Sequence, residues 1–280
     1  MKRLEFELCK AGFCRHPEIL SMKNGSFRSC EFPSLFAIIR HPQEGVILFD
    51  TGYHPEYNRR VKWPENIYPL ISPGFISKNQ TAAQQLKTRG IAPAEVNWIV
   101  ISHFHGDHIA GLKDFKKAKF LCRKSAFQNN YGKSAWRNLL NAYLPHLLPK
   151  DFLKRVVWID DCRTWSGQAA SQFVFSGADL FGDGSLIAID LPGHKEGQVG
   201  LVFNSEKNGK CFMIADASWS LKALREMRPP PRVAGLVFDS SKEYLKTFSK
   251  IHTLYLKQPE LQLIPSHCIE TFLKLSGGLE

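Results

Sequence analysis

The 280-residue chain has no apolar run near the roughly 20 residues that a membrane helix needs. Its opening residues, Met1-Lys2-Arg3-Leu4-Glu5-Phe6-Glu7, lack the apolar stretch of a secretion signal, so cytoplasm is the expected compartment. No CxxC pair occurs. The seven cysteines (Cys9, Cys14, Cys30, Cys122, Cys162, Cys211 and Cys268) are odd in number and scattered, which excludes a disulfide framework and a cysteine zinc site and predicts reduced, mostly buried thiols. Only Cys268, next to His267, is expected near other candidate ligands. Internal repeats and low-complexity tracts are missing, which excludes solenoids and linker arrays. Lysine and arginine outnumber aspartate and glutamate by 37 to 26, yet no basic stripe with interleaved aromatics forms on one element. A solvated surface accounts for that charge, and nucleic acid is not an expected partner.

What is present suits a sizeable core, since 44% of the residues are apolar. Residues 35–39 and 46–50 are β-type runs separated by His41-Pro42-Gln43-Glu44-Gly45, which predicts a hairpin. Residues 81–89 read as a helix with Thr81 as N-cap and Gly90 closing it. Residues 58–77, with Trp63, Tyr68 and Phe75 among prolines, read as a long irregular loop. Residues 125–154 read as a helical insertion whose apolar positions serve as core, with a wall or lid over a site as the alternative. Strands are expected again at 172–175, 185–190, 200–203 and 211–215, and a helix at 240–256. This order predicts a single domain over residues 1–280 of two α/β halves, about 1–165 and 166–280, packed sheet against sheet. Leu279-Glu280 after Gly277-Gly278 reads as an appended tail and is left out.

The densest chemistry lies in His103-Phe104-His105-Gly106-Asp107-His108, which places three imidazoles and a carboxylate in one short turn. These are nitrogen and oxygen ligands that Zn²⁺ and similar ions prefer. A solvated polar loop is the plain alternative, but it has no need for such spacing. The preceding residues, 96–102, read as a buried strand, so the ligands hang from a strand end. Four ligands on one loop cannot all serve one tetrahedral ion. Three further candidates also follow β-type runs: His194 after a Pro192-Gly193 turn, Asp216 after 211–215, and His267 after 261–266. The set matches a binuclear site, with His103, His105 and His194 on one ion, Asp107, His108 and His267 on the other, and Asp216 bridging. Each later histidine taken alone is as readily an ordinary surface or core residue. His16, His41, His54, His146 and His252 have loop-like or helix-surface neighbours and are excluded.

The chain resembles the metallo-β-lactamase superfamily through Phe49-Asp50-Thr51-Gly52, the His103 to His108 motif, Leu191-Pro192-Gly193-His194, Ala215-Asp216-Ala217-Ser218 and Pro265-Ser266-His267. Within it, Ala215 to Trp219, Phe238-Asp239-Ser240-Ser241 and the His103 to Asp107 loop look most like the N-acyl homoserine lactonases. The resemblance implies an αββα sandwich with a dimetal site at one edge, Zn²⁺ foremost and Mn²⁺, Co²⁺ or Fe²⁺ as substitutes. It also implies opening of an acylated lactone or similar ester. Two departures stand out: Trp219 replaces a tyrosine whose hydroxyl touches the lactone in that family, and Gln198 replaces a histidine that is not a ligand. Asp107 is expected to act as catalytic proton carrier as well as ligand, and Asp50 to orient a ligand imidazole from behind. Phe104 and Trp219, with Phe181, Trp63 and Tyr68, are expected to form an apolar trough. Phosphodiester hydrolysis, thioester hydrolysis of the glyoxalase II kind and a metal-bound ligand sensor are the competing functions. The expected partner is a small acyl lactone or ester; a homodimer is left open.

Overall fold

The computed structural model describes residues 2–59, 61–165 and 175–277. Of the strand expected at 172–175, all but Phe175 falls outside these. Twelve strands form the scaffold: β1 (Arg3–Pro17), β2 (Ser29–His41), β3 (Gly45–Phe49), β4 (Val96–Val100), β5 (Lys119–Cys122), β6 (Val156–Trp158), β7 (Arg163–Thr164), β8 (Gly177–Asp179), β9 (Leu186–Asp190), β10 (Val199–Ser205), β11 (Gly209–Ala215) and β12 (Gln262–Pro265). The first six make one sheet, ordered 6-5-4-3-2-1, and β7 to β12 make the other. The start of β1 joins them, because Arg3 and Leu4 pair in parallel with Asn204 and Ser205 of β10. Helices flank the strands: α1 (Ile67–Ile71), α2 (Ala82–Thr88), α3 (Gly106–Ile109), α4 (Lys124–Asn130), α5 (Ala135–Leu140), α6 (Phe152–Arg155), α7 (Leu221–Arg225), α8 (Ser241–Lys257) and α9 (Ile269–Leu275).

Alternation along each strand sorts the apolar residues into three layers. In β2, Leu35, Ala37 and Ile39 face the other sheet, whereas Phe36 and Ile38 face the helices beside the first sheet. In β11, Cys211, Met213 and Ala215 join the layer between the sheets, and Phe212 and Ile214 pack under α7 and α8. Both faces of both sheets are thus covered, as a helix–sheet–sheet–helix stack requires.

Several elements depart from the expectations above. β1 went unread, although Leu4, Phe6 and Leu8 are buried and alternate with exposed Arg3, Glu5 and Glu7. The loop at 58–77 contains α1, and Phe75 is tied to Phe13 by two backbone hydrogen bonds. The 125–154 segment is mainly core: Tyr143, Leu144, Leu147 and Phe152 are buried with Phe104, while Trp136 and Leu140 remain exposed. Ser240 caps α8 rather than opening it, its hydroxyl accepting from Glu243 N. Thr81 caps α2 as expected. All seven cysteines are free, and only Cys30 and Cys162 are not fully buried. Cys268, buried beside His267, accepts a hydrogen bond from Leu221 N through its sulfur. No helix among the described residues is long and apolar enough to cross a membrane.

Phe203 is fully buried between the sheets with its ring 5.0 Å from that of Phe6. Phe203→Ala should cost about 3–5 kcal/mol of stability in urea unfolding, through lost contacts and the cavity left behind.

Candidate metal centre

The candidate ligands gather where strands of both sheets end. β3 and β4 run parallel, so Asp50 and the loop after Val100 emerge side by side; β11 and β12 also run parallel and deliver Asp216 and His267 together. Backbone hydrogen bonds close the seam between the sheets at this end, from Leu35 N to Ser266 O and from Val199 N to Ser102 O. The loop carrying His194 is gripped by the start of α8. Ser240 N donates to Gly193 O, Asp239 N to His194 O, and Thr247 Oγ1 to Pro192 O. Gly193 has φ of 124°, and a Cβ there would lie 2.0 Å from Tyr244 N, so only glycine allows this approach. Gly106 is similarly required, because the Tyr57 ring packs where its Cβ would stand.

All seven side chains are buried, and their ligand atoms form two groups: His103, His105, His194 and Asp216, then Asp107, His108 and His267. Asp216 spans both. Its Oδ2 lies 3.3 Å from His194 Nε2 and 4.0 Å from His103 Nε2, while its Oδ1 lies 3.4 Å from His108 Nε2 and 3.2 Å from His267 Nε2. Asp107 Oδ2 is 3.5 Å from His267 Nε2 and 3.8 Å from His108 Nε2.

A second layer fixes the rings from behind. Asp50 Oδ2 accepts from His108 Nδ1 at 2.7 Å and from Ser102 Oγ at 2.7 Å; Asp50 Oδ1 accepts from Ser102 N. Ser102 Oγ also lies 3.0 Å from His103 Nδ1, and His267 Nδ1 donates to Pro33 O at 2.8 Å. Asp50 and Ala215, at the ends of β3 and β11, hold positive φ values of 59° and 46°. Such backbone is costly for residues other than glycine, and here it aims the carboxylates of Asp50 and Asp216 inward.

Several inward-facing atoms lack partners: His103 Nε2, His108 Nε2 and Asp216 Oδ1 are buried without a hydrogen bond, while His105 turns its Nδ1 inward, 3.2 Å from His194 Nε2. Unpaired nitrogen and oxygen donors converging on one space are what divalent cations would satisfy, so the residues fit such ions. Burial, with the nearby imidazoles, holds His103 and His105 well below the usual histidine range; burial takes His194 down to about 3 against the pull of Asp216. These rings are neutral and ready to ligate. His108 and His267 go the other way. Burial disfavours their charge, but Asp107, Asp216 and Asp50 raise His108, and Asp216 and Asp107 raise His267. Asp216 lies well below the usual carboxylate range despite burial, because His267, His108 and His194 surround it.

The model of the metallo-beta-lactamase superfamily matches residues 31–123. Over that third of its length the chain is similar to this superfamily. N-acyl homoserine lactonase AiiB of Agrobacterium fabrum is 25% identical over 236 residues, covering 83% of this chain and 78% of that relative. Among solved structures, an N-acyl homoserine lactone hydrolase with the product N-hexanoyl-L-homoserine at its catalytic metal center shares the fold at a TM-score of 0.69 and 16% identity, over 96% of this chain and 95% of that one. AidC, a dizinc quorum-quenching lactonase, shares it at 0.62 and 17%, over 96% and 90%.

In this metallo-beta-lactamase fold the proposed trough does not form as expected. Phe104 is 2% exposed and packs with Phe127, Tyr143 and Phe152 in the core beneath the helices. Phe181 lies against His41 and Trp98, residues of β2 and β4, and touches none of the ligands. Trp63 is exposed against Trp136, and Tyr68 packs on Tyr57. Trp219 alone of this group touches the ligands, its Nε1 donating to Asp216 Oδ2 at 3.0 Å. His41 is not on the surface: Gln43 N and Glu44 N donate to its Nδ1, and its Nε2 faces Ser185 Oγ. Ser102 and the Lys195–Asp239 ion pair behind His194 were not singled out. Ser102 precedes the motif directly, but a serine at a strand end carries no signal of its own.

Removing Asp50 leaves His108 Nδ1 and both Ser102 donors buried without that acceptor. Asp50→Ala should destabilise the metal-free protein by about 3–5 kcal/mol in urea titrations, since one member of a buried pair is stranded. Proton linkage also has a sign. His103, His105 and His194 withdraw stability as pH falls through about 6.5, because unfolding lets them charge. His108 and His267 contribute below 6.5 and lose that contribution as pH rises through their raised values. Zn²⁺ binding near pH 7 should therefore release roughly one to two protons per chain, mainly from these two, measurable by calorimetry in buffers of different ionisation enthalpy.

Proposed function

We propose that this chain is a dimetal hydrolase that opens the ring of an N-acyl homoserine lactone, with Zn²⁺ as its native ion. The observation that carries the reading is Asp216, whose two oxygens each face one ligand group. His103, His105 and His194 would hold one ion and Asp107, His108 and His267 the other, with Asp216 within reach of both groups. When bound, the ions supply Lewis acidity toward a carbonyl oxygen and a water acidified enough to attack near neutral pH.

The protein's own residues do the rest. Asp50 keeps His108 turned so that Nε2 faces inward, and Ser102 does the same for His103. Asp107 Oδ2 takes the proton that the attacking water loses and passes it to the leaving alkoxide as the ring C–O bond breaks, a role suited to a carboxylate with a side chain 10% exposed beside two imidazoles. No serine or cysteine nucleophile is required. Relatives named as lactonases support the substrate class, and a single domain spanning the chain suits them, since the match covers 83% of it. Seven free thiols support a reducing compartment, the cytoplasm.

Metal-replete protein should open acyl-homoserine lactones in a pH-stat assay, lose that activity on chelation and regain it with Zn²⁺. His105→Ala and Asp216→Ala should each lower kcat/KM by at least about a hundredfold while keeping the circular dichroism of the parent. Hydrolysis of a bis-aryl phosphodiester without lactone opening, or near-normal turnover in either variant, would overturn the assignment.

A further inference from the structure

Trp219 sits where the resemblance places a tyrosine, and the exchange changes the chemistry. A phenol both donates and accepts and is free to turn toward a substrate; an indole has one N–H and only donates. Here that N–H is committed to Asp216 Oδ2 at 3.0 Å. The ring is held in place on both sides, edge-on to His194 with centroids 6.2 Å apart at 84° and to Phe238 at 6.0 Å and 66°. Phe238 is itself fixed, stacked on Tyr244 at 4.2 Å and edge-on to His194 at 5.3 Å. The backbone below is pinned as well, by Ala217 N donating to Ile214 O and Ser218 Oγ to Ser220 O.

The bond selects one oxygen. Oδ2, which faces His103 and His194, receives the indole proton; Oδ1, which faces His108 and His267, has no hydrogen-bond partner. A carboxylate on two bonds of free rotation has other ways to lie among four imidazoles. A rigid donor on one side removes them, and a charge-assisted N–H···O⁻ bond is among the stronger kinds.

We propose that Trp219 is a positioning residue of the metal centre, its indole N–H fixing the rotation of the Asp216 carboxylate so that one oxygen serves each ligand group. The proposal rests on the dimetal reading above. It makes the tryptophan part of metal retention and leaves it with no donor to offer a substrate.

The test is Zn²⁺ affinity, measured on the metal-depleted whole chain against a chromophoric chelator. Trp219→Phe keeps an aromatic ring beside His194 and Phe238 but drops the donor. It should lose roughly 10- to 100-fold in affinity for at least one ion, the usual cost of removing a partner behind a ligand. Trp219→Gln keeps an N–H and discards the ring, and should recover most of that loss. Metal-free melting curves of both variants should overlay the parent. Unchanged affinity in Trp219→Phe overturns the proposal while two ions in the parent leave the dimetal reading standing. Equal weakness in both variants also overturns it, because ring packing then accounts for the effect. A parent chain that takes up fewer than two ions removes both readings. Should Trp219→Phe not fold, the indole N–H of zinc-loaded parent protein, identified by its absence from Trp219→Gln, must exchange slowly with solvent; fast exchange overturns the proposal.

Discussion

The structure depends on one costly juxtaposition: five imidazoles and two carboxylates buried together, with several of their inward nitrogens and oxygens unpaired. Burying unsatisfied polar atoms costs a few kcal/mol each, and burying like charges costs more. The protein divides the problem electrostatically. His103, His105 and His194 are held below the usual histidine range by burial, whereas the charges of Asp107 and Asp216 hold His108 and His267 above it. Neither arrangement is a resting place for a protein without a use for it. Divalent cations resolve both at once, by accepting the unpaired nitrogens and balancing the carboxylates.

Holding this cluster in register falls to the strand ends. Parallel pairs β3–β4 and β11–β12 bring their carboxyl ends together, one pair from each sheet, and the middle of β2 meets them across the seam through Leu35 N and Ser266 O. Positive φ at Asp50 and Ala215 concentrates backbone strain at these ends. The layers on either side, dominated by Phe49, Phe203 and Met213 between the sheets and by Phe212, Phe248 and Ile251 beneath the helices, keep the strand ends from relaxing. Strand ends thus place Asp50, Asp216 and His267, while the loop and helical turn after β4 carry His103 to His108 and the loop after β9 carries His194.

Legibility in the sequence followed the range of each signal. The hairpin of β2 and β3, the cap of α2 and the strand before His103 are written in neighbouring residues, so local pattern sufficed. β1 was missed although its alternation is plain, because the first residues were weighed as a leader and not as a strand. Phe104 illustrates the opposite failure. A phenylalanine inside a ligand motif reads as a pocket wall, but the turn sends its ring away from the histidines into the core with Phe127 and Phe152. Trp219 carries the same local ambiguity and was turned the other way, by the contacts of Phe238 and Asp216.

The sequence alone determined which atoms are available: imidazoles and carboxylates, placed after apolar runs, with no CxxC spacing and no membrane-length apolar run. Residue chemistry and the two-residue period of a strand are properties of the chain itself. Tertiary structure decided which oxygen of Asp216 meets which histidine, which rings are held neutral, and that Gly193 must be glycine because Tyr244 packs against it. Those outcomes depend on distances between segments far apart in the chain. Burial and neighbouring charge exist only once the two sheets have closed.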